Sequence, residues 1–166
     1  MSAKINNGEN SGLHPDGSFA HLNSKKTRIA VCIPACNETS IIPVIRSLES
    51  CTPIEGVVVC VNINASENAD KNIRNTNKKA LDELKVFAEK NQLWFDLNVE
   101  LFQHLPHKKS GVGLARKLAM DKACSLFESI SGDEILICLD ADCTVSNNYI
   151  SEINSFFQKN KANKKT

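Results

Sequence analysis

The sequence predicts an α/β protein with a mostly parallel sheet in three layers, helices on both faces. Two observations carry that prediction. Four short apolar runs of strand length recur, at Thr27–Ile33, Gly56–Val61, Leu97–Phe102 and Ile135–Leu139. Segments with helical periodicity separate them, giving the order β-α-β-α-β-α-β-α. Alternation of that kind implies parallel strands joined by right-handed crossovers.

The first run, Thr27-Arg28-Ile29-Ala30-Val31-Cys32-Ile33, stops at Pro34, and a loop follows through Glu38. Thr39 or Ser40 suits a helix cap, with Pro43 tolerated in the first turn. Ile42, Ile45 and Leu48 continue that helix until Thr52-Pro53 breaks it. Gly56 to Val61 reads as a second buried strand, followed by a polar loop, Asn62-Ile63-Asn64-Ala65-Ser66. Ile73, Ala80, Leu81, Leu84, Phe87 and Ala88 then share one helical face. Leu97 to Phe102 alternates as a third strand does, and His104 to Ser110 is a basic loop. Gly111-Val112-Gly113 opens a helix striped by Ala115, Leu118, Ala119, Ala123, Leu126, Phe127 and Ile130, which ends at Ser131-Gly132. Ile135 to Leu139 is unbroken and apolar, the habit of a strand covered on both faces. A last helix carries Tyr149, Ile150, Ile153 and Phe157.

This divides the chain into a flexible N-terminal tail at 1–26, one folded domain at 27–158 and a polar end at 159–166. A chain of 166 residues suffices for one domain with a sizeable core. The formal net charge of +1 supplies no basic field for nucleic acid. No apolar run approaches the ~18 residues of a membrane span. The polar start, Met1 to Gly12, lacks the apolar region of a secretory signal. Seven cysteines, an odd number with no CxxC pair, suggest reduced and mostly buried thiols in a cytoplasmic protein. Cys32 and Cys36 have zinc-like spacing but no second pair.

The candidate chemistry gathers where strands end. In open α/β sheets ligands sit beyond the carboxyl ends of the strands. Asp140 and Asp142 follow the last apolar run, and a carboxylate pair there is half a site for a hard divalent cation. A turn or helix cap is the plainer role for them. Glu38 has an equally plain alternative as a carboxylate at a helix start. Gly111-x-Gly113-x-x-Arg116 fits dinucleotide binding badly, because it comes late and Arg116 fills a position that should be small. That disfavours an NAD-dependent oxidoreductase. A helix start preceded by Lys108 and Lys109 still suits an anion, as it suits a solvated basic loop. His104 and His107 read as ordinary loop histidines, and Ser66 has no evident His/Asp partner for a nucleophile triad.

Three motifs together resemble a known family. Ile29-Ala-Val-Cys-Ile-Pro-Ala-Cys-Asn-Glu38 is similar to the first strand and "IPAYNE" loop of family-2 glycosyltransferases of the GT-A fold. Gly113-Leu-Ala-Arg116-Lys117 resembles their "GxxxARN" helix, and Leu139-Asp-Ala-Asp142 the "LDAD" form of their DxD motif. The resemblance spans roughly residues 28–158. It implies a GT-A type domain that binds a nucleotide-sugar, a UDP-sugar foremost, with Mg²⁺ or Mn²⁺. Pro34, Ala35 and Glu38 would border the nucleoside, with Glu38 reaching the ribose. Arg116 and Lys109 would lie near the diphosphate, and Asp140 would contact ribose or metal while Asp142 ligates the metal.

The chain departs from the family at two loops. Cys36 stands where an aromatic commonly flanks the base. The acidic loop after the second strand is Asn62 to Ser66, where Asn62 or Asn64 offers both a donor and an acceptor to a base edge. The resemblance also implies that the acceptor half and the general base follow the DxD segment. The expectation is therefore a truncated transferase, its donor-binding half, with no assignable base and with a glycan, lipid or small-molecule acceptor undefined. The alternative expectation is a non-catalytic nucleotide-binding or interaction module that keeps the fold.

Overall fold

The computed structural model describes residues 15–21, 26–108, 111–127 and 132–163. Its elements are β1 (Phe19–His21), β2 (Ile29–Ala35), α1 (Ile42–Glu49), β3 (Val57–Ser66), α2 (Lys71–Lys90), β4 (Asp96–Leu105), α3 (Val112–Leu126), β5 (Ile135–Cys138) and α4 (Tyr149–Asn163). The five strands form one sheet in the order β1-β4-β3-β2-β5. β2, β3, β4 and β5 run parallel, and only β1 is antiparallel.

The order follows from the crossovers. The chain steps from β2 to β3 to β4 in one direction, then returns to place β5 on the far side of β2. Right-handed crossovers taken in opposite directions put their helices on opposite faces. Accordingly Ile29, Val31 and Ile33 of β2 pack with Val44, Ile45 and Leu48 of α1, Leu81 and Leu84 of α2, and Ile150 of α4. Ala30 and Cys32 face the other way, with Val58 and Cys60 of β3 and with Ala119 and Ala123 of α3. Small residues at that interface let α3 lie close to the sheet. No helix among the described residues is long and apolar enough to cross a membrane.

Helix starts obey local chemistry. Asp70 caps α2, its Oδ1 accepting from the Ile73 N–H at 2.9 Å. The Ser40 hydroxyl accepts from the Ile42 N–H at 3.3 Å ahead of α1, whose first turn holds Pro43.

Several boundaries differ from the sequence reading. No strand was expected before Thr27, yet β1 pairs Phe19 with Val99 and His21 with Leu97. β3 runs on through Ser66, so Asn62 to Ser66 is strand, not loop. The alternation Val61-Asn62-Ile63-Asn64-Ala65 is a period-2 signal, and β3 uses it by turning Ile63 to the α1–α2 core. β4 likewise takes in His104. α4 continues through Asn163, beyond the expected domain end. The described part of α3 ends at Leu126, and Ile130 and Ser131 lie outside the described residues. β5 is not covered on both faces. Leu136 is 37% exposed and Cys138 is exposed, because α3 packs over β2 and β3 and leaves the edge strand half bare.

Candidate functional site

The carboxyl ends of β2, β3 and β5 and the start of α3 enclose a cleft of about 610 Å³. It lies beside the switch point of the sheet, where the strand order reverses between β2 and β5. Pro34, Ala35, Cys36 and Glu38 line it from β2 and the loop after it, and Asn64 and Ser66 from β3. Gly111, Val112, Ala115 and Arg116 line it from α3, and Asp140, Ala141 and Asp142 from beyond β5. Four segments far apart in sequence therefore contribute to a single concavity.

Local geometry explains how the acids face outward. The Leu139 N–H still donates to Cys32 O at 3.1 Å, extending the β5 pairing by one residue. A turn follows, closed by the Cys143 N–H on Asp140 O at 3.1 Å. Leu139 and Ala141 are buried while Asp140 and Asp142 are exposed. Arg116 Nη2 donates to Asp140 Oδ1 at 2.9 Å. Asp142 Oδ1 meets only the Cys143 thiol, at 3.7 Å, among the described residues.

Two residues that the sequence reading did not single out organise the rim. Arg74 of α2 donates from Nε to Ala69 O at 3.2 Å and from Nη2 to Ser66 O at 3.1 Å and Glu67 O at 2.6 Å. Its Nη1 donates to Gln103 O and lies 3.2 Å from His104 Nδ1, so one guanidinium ties the ends of β3 and β4 together. Asn77, also on α2 and buried, accepts from the Asn37 N–H and donates to Asn64 O, each at 2.8 Å. A polar residue on the inner side of an apolar stripe was the available signal for it.

Other expected residues fall differently. Asn62 is fully buried, lines no part of the cleft, and neither amide atom has a partner among the described residues. Asn64, two residues on, is the amide that reaches the wall. Lys109 lies outside the described residues. Ser66 does have a histidine neighbour, with Oγ 3.4 Å from His107 Nδ1, but the same oxygen accepts from the Asn68 N–H at 3.3 Å. The His107 N–H donates to Glu67 Oε1 at 2.9 Å. The pair thus clasps two loops, and neither His104 nor His107 lines the cleft.

All seven cysteines are free. Cys32, Cys51 and Cys60 are buried, whereas Cys36, Cys138 and Cys143 are exposed, a more open distribution than expected. Burial, then the neighbouring Glu38 carboxylate, pushes the Cys36 thiol up, so it meets the cleft uncharged at neutral pH. Among the described residues no three His, Cys, Asp or Glu side chains are grouped to hold a metal ion. Asp140 and Asp142 are hard oxygen donors that fit Mg²⁺ or Mn²⁺ only as a partial set, with ligand oxygens and water completing it. A groove of about 680 Å³ between α1 and α2 is a weaker candidate. Its charges pair along the helix, Lys78 with Asp82 at 3.6 Å and Lys79 with Glu83 at 3.7 Å.

No family model, curated protein or solved structure matches this chain. The α/β fold and the geometry of the cleft therefore carry the functional argument.

Proposed function

We propose that the chain is the donor-binding part of a GT-A type glycosyltransferase, and that the cleft holds a nucleotide-sugar, a UDP-sugar foremost. One observation supports this above others. Pro34 and Glu38, Arg116, and Asp140 and Asp142 come from three motifs far apart in sequence, yet they line one cleft beside the switch point. The volume of about 610 Å³ lies within the range of small-molecule sites.

On this reading Pro34, Ala35 and Glu38 border the nucleoside, with Glu38 toward the ribose. Asn64 takes the amide role in the wall. Arg116 meets the diphosphate through charge-assisted hydrogen bonds. The start of α3 helps, since its first turn carries no acidic residue and its free N–H groups favour an anion. Asp140 and Asp142 would hold Mg²⁺ or Mn²⁺. When bound, the cation stabilises negative charge on the leaving diphosphate. The sugar would pass to a hydroxyl of a glycan, lipid or small molecule, and the seven free thiols suit a cytoplasmic protein.

The test is thermal unfolding with UDP and Mn²⁺. Saturating UDP at 100 times Kd adds about 2.7 kcal/mol of stability. Asp142→Ala abolishes the Mn²⁺-dependent part and leaves the fold intact. Equal stabilisation of variant and wild type would remove the metal role. Metal-dependent UDP binding without hydrolysis or transfer from a UDP-sugar would favour the non-catalytic module.

A further inference from the structure

Asn77 does not line the cleft, yet both ends of its amide are used. Its Oδ1 accepts from the Asn37 N–H at 2.8 Å, and its Nδ2 donates to Asn64 O at 2.8 Å. Asn64 Nδ2 in turn donates to Ala35 O at 2.8 Å. The relay thus runs from the loop after β2, through α2, to the end of β3 and back to β2. Its two side chains are buried, Asn77 at 1% and Asn64 at 6% exposure. Asn37 holds a left-handed backbone with φ of 58°, a conformation that Asn adopts more readily than other residues with a Cβ. Cys36 and Glu38, on either side of it, line the cleft.

We infer that Asn77 is a positioning residue for the cleft: its amide latches the Cys36–Glu38 loop to β3 and helps to fix Asn64. With Asn64 Nδ2 committed to Ala35 O, its Oδ1 is the amide atom left for a ligand donor. The relay also explains why amides stand here. A carboxylate accepts only, so it could not donate to Asn64 O or to Ala35 O. The consequence for ligand binding rests on the proposed nucleotide-sugar reading, but the latch itself does not.

The experiment is NMR-detected hydrogen exchange of the Asn37 amide in the full chain, expressed as protection factors, with UDP and Mn²⁺ titration alongside. Asn77→Ala lowers Asn37 protection at least about tenfold and leaves the β1–β4 amides unchanged. Asn77→Asp separates the two hydrogen bonds of the latch. Its carboxylate still accepts from the Asn37 N–H but cannot donate to Asn64 O, so Asn37 protection falls less than in Asn77→Ala. Asn37 protection within about twofold of wild type in Asn77→Ala, or a loss in Asn77→Asp as large as in Asn77→Ala, overturns the latch. Global unfolding of both variants also overturns it, because the claim is a local opening. For the ligand arm, Asn77→Ala weakens UDP binding about tenfold, and unchanged affinity with an opened loop removes the positioning role. If wild type binds no UDP, the nucleotide-sugar reading fails while the exchange result still decides the latch.

Discussion

Arg116 Nη2 donates to Asp140 Oδ1 at 2.9 Å, so the guanidinium of α3 and the first acid beyond β5 meet across the cleft. The side chains are 38% and 60% exposed, and an ion pair that open adds at most about 1 kcal/mol of stability. Its effect on ligand is larger. Arg116 balances the carboxylate charge and offers further donors to an incoming anion. Arg116→Ala is therefore expected to cost under about 1 kcal/mol in urea unfolding, yet to weaken binding of UDP with Mn²⁺ at least about tenfold by calorimetry. Parallel losses in stability and affinity would make the pair merely structural.

Gly56 is required by conformation and by space. Its φ is +75°, and a Cβ there would lie 2.4 Å from Lys26 O. Gly56 O also accepts from the N–H groups of Arg28 and Ile29, anchoring the start of β2. Gly56→Ala should destabilise the protein by about 2 kcal/mol or more, read from denaturant unfolding.

Gly111 and Gly113 contrast with it, since a Cβ at either meets nothing within 4 Å. Close packing therefore does not explain them. Gly113→Ala in the helix is expected to stabilise by about 0.5–1 kcal/mol. Gly111 lines the cleft, so its missing side chain leaves room for ligand. Gly111→Ala should leave stability near wild type and reduce UDP affinity. Unchanged affinity would make this glycine incidental.

The buried thiols set an alkaline limit. Burial, reinforced by Cys138 and Cys124, pushes Cys32 up to about 12 from an ordinary 9.0. Burial and then Cys32 raise Cys60 in the same direction. A raised pKa means that the folded state holds its protons longer than the unfolded chain. The stability contribution is therefore complete below pH 9.0 and is lost as pH rises toward about 12. Unfolding free energy should fall between those limits by up to about 1.4 kcal/mol per pH unit for each thiol. Cys32→Ala should flatten the slope, whatever it does to absolute stability. An unchanged slope would assign the loss to other groups.

Much of this was legible because it is local. Alternating apolar runs and helical stripes located four strands and four helices, since burial on a sheet or helix face leaves a period in the sequence. Asp140 and Asp142 were picked out by their place at a strand end, and Pro34, Ala35, Glu38 and Arg116 by the motif resemblance; these six line the cleft, whereas Asn62 does not and Lys109 lies outside the described residues. Asn62 was treated as a loop residue because polar residues are rare in central strands, but parallel pairing to Pro34 and Glu100 carries β3 through it. Arg74 and Asn77 lay in an ordinary-looking helix. Their importance comes from backbone groups of other strands, which no local pattern reports.

The chain by itself determined the class of fold, the order of its elements from β2 onward and which segments end at the carboxyl edge of the sheet. These follow from side-chain periodicity and turn chemistry, which act over a few residues. Tertiary structure alone decided that β5 returns to the far side of β2, that β1 closes the opposite edge, and that Asn64 reaches the cleft while Asn62 lies beneath it. Those outcomes depend on pairing register and on which face each crossover covers. Contacts between residues tens of positions apart set both.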